Sequence, residues 1–135
     1  MLGDTVQYVS LPFVAAEEVP AETEKVKAFF DILSDSANYP IAFHCKIGTD
    51  RTGSLTYLLL ALLGVSEDDI YTDFVFSNTG SIGNARAYNR INDYTEGYVN
   101  GTDGDTIQEK CRNYLLGIGI TAEQISNICS IMLGE

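Results

Sequence analysis

Apolar positions along the chain switch between strand-like and helical spacing up to about residue 45 and keep helical spacing after it. Residues 6–11, Val6-Gln7-Tyr8-Val9-Ser10-Leu11, alternate with a period of two and stop at Pro12, which predicts a strand. Residues 20–34 carry Val26, Phe29, Phe30 and Leu33 at helical spacing. Pro20 stands near the start and Glu22 and Glu24 in the first turn, which predicts a helix. A turn-rich connector leads to Pro40, and Ile41-Ala42-Phe43-His44 then reads as a second, buried strand. From Thr52 to Leu63 nearly every residue is apolar or small, the pattern of a helix buried all round. Only helices are predicted after it: residues 70–77 behind a Ser66-Glu67-Asp68-Asp69 cap, residues 81–99, residues 106–116, and residues 122–133 capped by Thr121.

Composition narrows this picture. A chain of 135 residues with 45% apolar content forms one domain with a real core. No run of eighteen apolar residues is present, so no membrane span is expected. Met1-Leu2-Gly3-Asp4 lacks the basic start and apolar core of a signal peptide, and the compartment, cytoplasmic or secreted, is left open. The net charge of −11 and the scattered basic residues argue against nucleic acid as a partner and against anionic membranes. Three cysteines at irregular spacing, Cys45, Cys111 and Cys129, suggest neither a disulfide framework nor a zinc site. Cys111 and Cys129 fall in helical patterns and read as small core residues. Asp103-Gly104-Asp105 lacks the spaced acids of a calcium loop and reads as a solvated turn.

The chemistry concentrates between the second strand and the buried helix, in His44-Cys45-Lys46-Ile47-Gly48-Thr49-Asp50-Arg51-Thr52-Gly53. A loop entering a helix N-terminus offers free N–H groups and the positive end of a dipole, the ingredients of an anion site. The phosphate-binding candidates are Lys46, Ile47, Gly48, Thr49, Asp50 and Arg51, with Arg51 able to grip two phosphate oxygens as a planar fork. The same field lowers the pKa of Cys45 and makes it a nucleophile. His44 and Thr52 are supporting residues: His44 to hold the loop backbone, Thr52 to donate to the sulfur. Lys46 is also placed to meet a second phosphate on an inositol ring. A low-pKa thiolate is readily oxidised, so redox sensing is a side property.

His44-Cys45-(five residues)-Arg51-Thr52-Gly53 resembles the signature loop of the cysteine-dependent protein tyrosine phosphatase superfamily, specifically bacterial tyrosine and dual-specificity phosphatases, some active on phosphoinositides. A rhodanese-type sulfurtransferase loop has a shorter cysteine-to-arginine spacing. Residues 63–74 and 117–125 resemble the helices that follow the loop in that bacterial group. The resemblance implies an α/β fold, a tyrosine-phosphatase-like parallel sheet flanked by helices, spanning residues 1–135. With two predicted strands, the chain is expected to be the C-terminal part of that domain, its sheet completed by a preceding segment or a second chain. The resemblance further implies hydrolysis of phosphotyrosine, phosphoserine or threonine, or phosphoinositide through a cysteinyl-phosphate, with no metal or cofactor. It also implies an aspartate acid shortly after the first strand. Ala15 stands there instead, leaving Glu17, Glu18 and Asp50 as candidates for the acid. The alternative is a phosphate-binding module with little turnover.

Overall fold

The all-apolar segment after the Cys45 loop becomes the central helix of the molecule. In the computed structural model, which describes residues 5–135, six α-helices surround one hydrophobic core: α1 (Thr23–Leu33), α2 (Asp50–Leu62), α3 (Glu67–Phe76), α4 (Ile91–Val99), α5 (Ile107–Gly117) and α6 (Ala122–Leu133). Met1-Leu2-Gly3-Asp4, read above as lacking a signal peptide, lies outside the described residues. Helix α2 buries Leu55, Tyr57, Leu58, Leu59 and Ala61 and packs against α3, α4 and α5. Its one buried polar side chain on that face, Ser54, donates to the carbonyl of Tyr94 at 2.9 Å and shares a hydrogen bond with the Tyr98 hydroxyl. A buried hydroxyl without such partners is costly, so this pair fixes how α4 sits on α2.

Helix α1 buries Val26, Phe29, Phe30 and Leu33, the stripe expected from its spacing. Ser66 caps α3 by accepting from the Asp69 N–H, and Thr121 with Gln124 forms a reciprocal capping box on α6. A single 3₁₀ turn, Val19–Ala21, precedes α1 and is wedged beneath α4. The approach is close: a Cβ on Gly97 would lie 2.6 Å from Pro20 Cβ. The Tyr114 hydroxyl of α5 donates to the Pro20 carbonyl at 2.7 Å and secures the turn from the other side.

Two expectations are corrected. The parallel sheet flanked by helices is not formed: among the described residues there are helices and loops and no strand. Residues 6–11 and 41–44 belong to no ladder, and an extended segment becomes a strand only when a neighbour takes up its N–H and C=O groups. Tyr8 and Val9 are exposed, while Phe43 finds cover on α1, its ring 4.9 Å from that of Phe29. The helix expected over residues 81–99 is only its second half. Residues 80–87 form a loop with Gly83 at φ +84°, which is held shut by Asn78: its side chain donates to the Arg86 carbonyl and accepts from the Arg86 N–H.

Candidate active site

The Cys45 loop turns through Gly48, whose φ of +72° lies in the left-handed region that a side chain disfavours. The turn directs backbone N–H groups inward. Those of Ile47, Gly48 and Thr52, with the Thr52 hydroxyl, surround the Cys45 sulfur. Burial pushes this half-buried thiol up, but the four donors outweigh it and bring the thiol down from 9.0 to about 7. The sequence suggested that a neighbouring arginine would help; the lowering comes instead from hydrogen-bond donors, and Arg51 is not among them. Thr49 Oγ1 and Thr52 Oγ1 are both buried and lack a partner of full hydrogen-bond geometry among the described residues, which leaves the Thr52 hydroxyl to serve the sulfur. The structure brings His44 Nδ1 within 2.8 Å of the Cys45 carbonyl, a contact that steadies the loop entrance. Lys46 and Ile47 are exposed at the loop rim.

This geometry makes Cys45 alkylation by iodoacetamide a direct measure of the cradle. The rate is expected to rise with pH and reach half its plateau near pH 7, because only the thiolate reacts. Thr52→Val removes one donor to the thiolate and shifts the midpoint toward the ordinary thiol value. An unchanged midpoint in that variant would show that the hydroxyl does not hold the sulfur. Cys111, fully buried and pushed up to about 12 by that burial, stays unreactive throughout.

Arg51 opens the first turn of α2, and its Nη1 donates to the carbonyl of Phe13 at 3.0 Å. The guanidinium thus ties the Cys45 loop to the segment that carries the candidate acids. That segment is anchored at its near end, where the Glu22 carboxylate accepts from the Val14 N–H and Lys25 Nζ donates to the Pro12 carbonyl. Its far end is the buried Val19–Ala21 turn. Glu17 and Glu18 lie between these anchors, both exposed, and Ala15 is half-buried. Glu17 faces a cleft of about 600 Å³ that Asp50, Arg51, Arg86, Arg90 and Tyr94 also line. Glu18 and Cys45 do not line it; Arg51 is the link between the cleft and the Cys45 loop.

Asp50 does not point at the loop's centre. Arg86 grips it with a planar fork, Nε to Oδ1 and Nη2 to Oδ2, each at 2.8 Å, and the Tyr94 hydroxyl donates to Oδ1 at 3.0 Å. The Arg86 hydrogen bonds, against the opposing effect of burial and with help from Tyr94, hold the Asp50 carboxyl below its usual range. Arg90 completes the group. It stacks over the Tyr94 ring at 5.1 Å, and its fork meets Asp93 on Nη1 and Glu17 on Nη2, the latter at 3.1 Å. Neither Arg86 nor Arg90 was singled out from the sequence. They lie 36 and 40 positions beyond Asp50, and only folding brings them to it. Gly80 and Gly83, spaced three apart, were the available signal that this stretch begins as a loop and presents side chains to a neighbour.

The tyrosine phosphatase family model matches residues 5–134, so the chain belongs to the tyrosine phosphatase family. A Cupriavidus necator protein named "Putative tyrosine-protein phosphatase H16_A0669" is 53% identical over 38 residues. That stretch covers 28% of this chain and 14% of the relative's own length. No solved structure matches the chain. Among the described residues, no helix is long and apolar enough to cross a membrane.

Proposed function

We propose that the chain hydrolyses phosphomonoesters, phosphotyrosine foremost, through a cysteinyl-phosphate intermediate. The observation that carries this reading is the Cys45 thiol, brought to about 7 by four donors on a loop that opens a helix. In the first step Cys45 Sγ forms a bond to phosphorus as the bond to the ester oxygen breaks, and an acid hands its proton to that oxygen. The N–H groups of Ile47, Gly48 and Thr52 and the Arg51 fork neutralise the phosphoryl oxygens. In the second step water attacks phosphorus, its proton returns to the acid, and the sulfur leaves as thiolate, steadied by Thr52. Lys46, Thr49 and His44 support the loop, and an exposed Lys46 is available to the second phosphate of a phosphoinositide. Membership of the bacterial dual-specificity type rests on the same loop.

For the acid, the geometry favours Glu17. Asp50 is kept ionised by Arg86 and so is a poor proton donor. Glu18 is not among the residues that line the cleft with Glu17. The weaker reading, a phosphate-binding module with little turnover, draws on Ala15, where the family's aspartate is absent. A phosphate-release panel on nitrophenyl phosphate, phosphotyrosine and phosphoserine tests both readings, with acid quenching to trap the phosphoenzyme. Steady turnover with a trapped phosphoenzyme is expected; stoichiometric binding without release favours the module. Glu17→Gln is expected to slow phosphoserine by about a hundredfold and nitrophenyl phosphate much less, because nitrophenolate leaves without a proton. The fall in rate at the alkaline end of the pH profile is expected to vanish in this variant. A profile and rates equal to the wild type's would exclude Glu17, and Asp50→Asn is then the variant to measure.

A further inference from the structure

The basic residues are scattered along the chain, but the fold gathers most of the arginines. Of four arginines, three, Arg51, Arg86 and Arg90, line the one cleft. Two of them already have assignments. Arg51 belongs to the phosphate loop, and Arg86 is consumed by Asp50, with both carboxylate oxygens in its fork. Arg90 is different. It is half-exposed, its Nε donates to the Tyr94 hydroxyl at 3.2 Å, its guanidinium lies 5.1 Å from the centre of the Tyr94 ring, and its Nη2 meets Glu17, a residue 73 positions away on a separate loop. An exposed pair of this kind contributes on the order of 0–1 kcal/mol, so its partner is exchangeable at little cost.

Building on the phosphatase reading, we infer that Arg90 is a specificity-determining residue that binds an acidic side chain flanking the phosphotyrosine of a peptide substrate. Glu17 occupies this position in the free protein as an internal stand-in for that carboxylate. The incoming carboxylate takes the Nη2 donor and frees Glu17, which is then able to turn toward the leaving oxygen. Recognition of the flanking residue and delivery of the acid are thereby one event. The geometry favours a carboxylate over a second phosphate group. The pocket already fits a carboxylate from its own chain, and Asp93 on Nη1 balances part of the guanidinium charge that a dianion would require. The net charge of −11 also works against polyphosphorylated headgroups more than against a single acidic side chain.

The test uses phosphotyrosine peptides that differ only in one flanking residue, Glu, Gln or Lys, moved through each nearby position. At one or more positions the wild type is expected to prefer Glu over Gln by about fivefold in kcat/KM, a size fitting one exposed charge pair. Arg90→Gln brings that ratio close to one, and Arg90→Glu inverts it in favour of Lys. A merely structural role for Arg90 changes all peptides alike and leaves the ratio in place, which overturns the inference, as does a wild-type ratio near one at every position. The same ratios read as Kd on the Cys45→Ser background keep the test independent of turnover: a protein that binds but does not hydrolyse defeats the phosphatase reading and still decides the role of Arg90. An inositol bisphosphate arm is the remaining outcome. If Arg90→Gln lowers the rate on that substrate relative to a monophosphate and spares the peptide ratios, the subsite belongs to a headgroup and the inference is wrong.

Discussion

Cys45→Ser is expected to remove turnover of nitrophenyl phosphate by a factor on the order of 10,000 or more, while phosphate still binds. The serine hydroxyl fits the same space, but it does not ionise near neutral pH, so the nucleophile is lost while the cradle is kept. The N–H groups of Ile47, Gly48 and Thr52 still surround the side chain at position 45, and no thiolate charge then competes with a bound phosphate for them. Binding of inorganic phosphate, measured by calorimetry, is therefore expected to match or exceed that of the wild type. The two readouts must separate. If turnover falls and binding falls with it, the loop has collapsed and the variant says nothing special about the sulfur. If turnover stays within tenfold of wild type, the hydrolysis does not pass through Cys45 and the cysteinyl-phosphate route is wrong. Rapid reaction with labelled nitrophenyl phosphate adds a third measure: the label is retained on wild-type protein after acid quenching and absent from the variant.

The Cys45 loop was legible as a turn into a buried helix because its signals are local. A cysteine, a glycine that takes φ +72°, an arginine six positions on and an apolar helix behind them lie within eighteen residues of each other. The caps at Ser66 and Thr121 were legible for the same reason, since a cap is read within one turn. The parallel sheet was not. Alternation in residues 6–11 and apolarity in residues 41–44 describe what a strand needs on its own side, but a ladder also needs a partner, and none is present among the described residues. The second half of the site escaped as well. Asp50 was read as a competitor for the acid's role, whereas the fork of Arg86 and the hydroxyl of Tyr94 make it an anchor between α2 and the loop before α4. Nothing in the spacing of those residues announces the contact. Glu17 and Glu18, adjacent and alike in sequence, are distinguished only in the fold, where Glu17 lines the cleft and Glu18 does not.

Arg51→Lys is expected to cost the next largest factor, about 100- to 1,000-fold in kcat/KM, the range seen when a donor to a developing oxyanion is lost. Charge is preserved in this variant, so the loss reports geometry. The Arg51 guanidinium can combine two tasks that a lysine ammonium cannot: one nitrogen donates to the Phe13 carbonyl at 3.0 Å, and the remaining planar donors are left for the proposed grip on the phosphoryl oxygens. Releasing Phe13 also loosens the segment that carries Glu17, so the loss is expected to be steeper for phosphoserine, which needs the acid, than for nitrophenyl phosphate, which does not. The thiol supplies an internal control. Because Thr52, Gly48 and Ile47 lower the Cys45 pKa and Arg51 is not among the groups that do, the iodoacetamide midpoint is expected to remain near 7 in Arg51→Lys. A midpoint that moves up together with the fall in rate would mean that the arginine acts through the nucleophile. A midpoint that holds while the rate falls assigns Arg51 to the phosphoryl group. Equal losses on the two substrates would instead separate Arg51 from the acid segment, and the bond to Phe13 would then be a packing contact without a part in the chemistry.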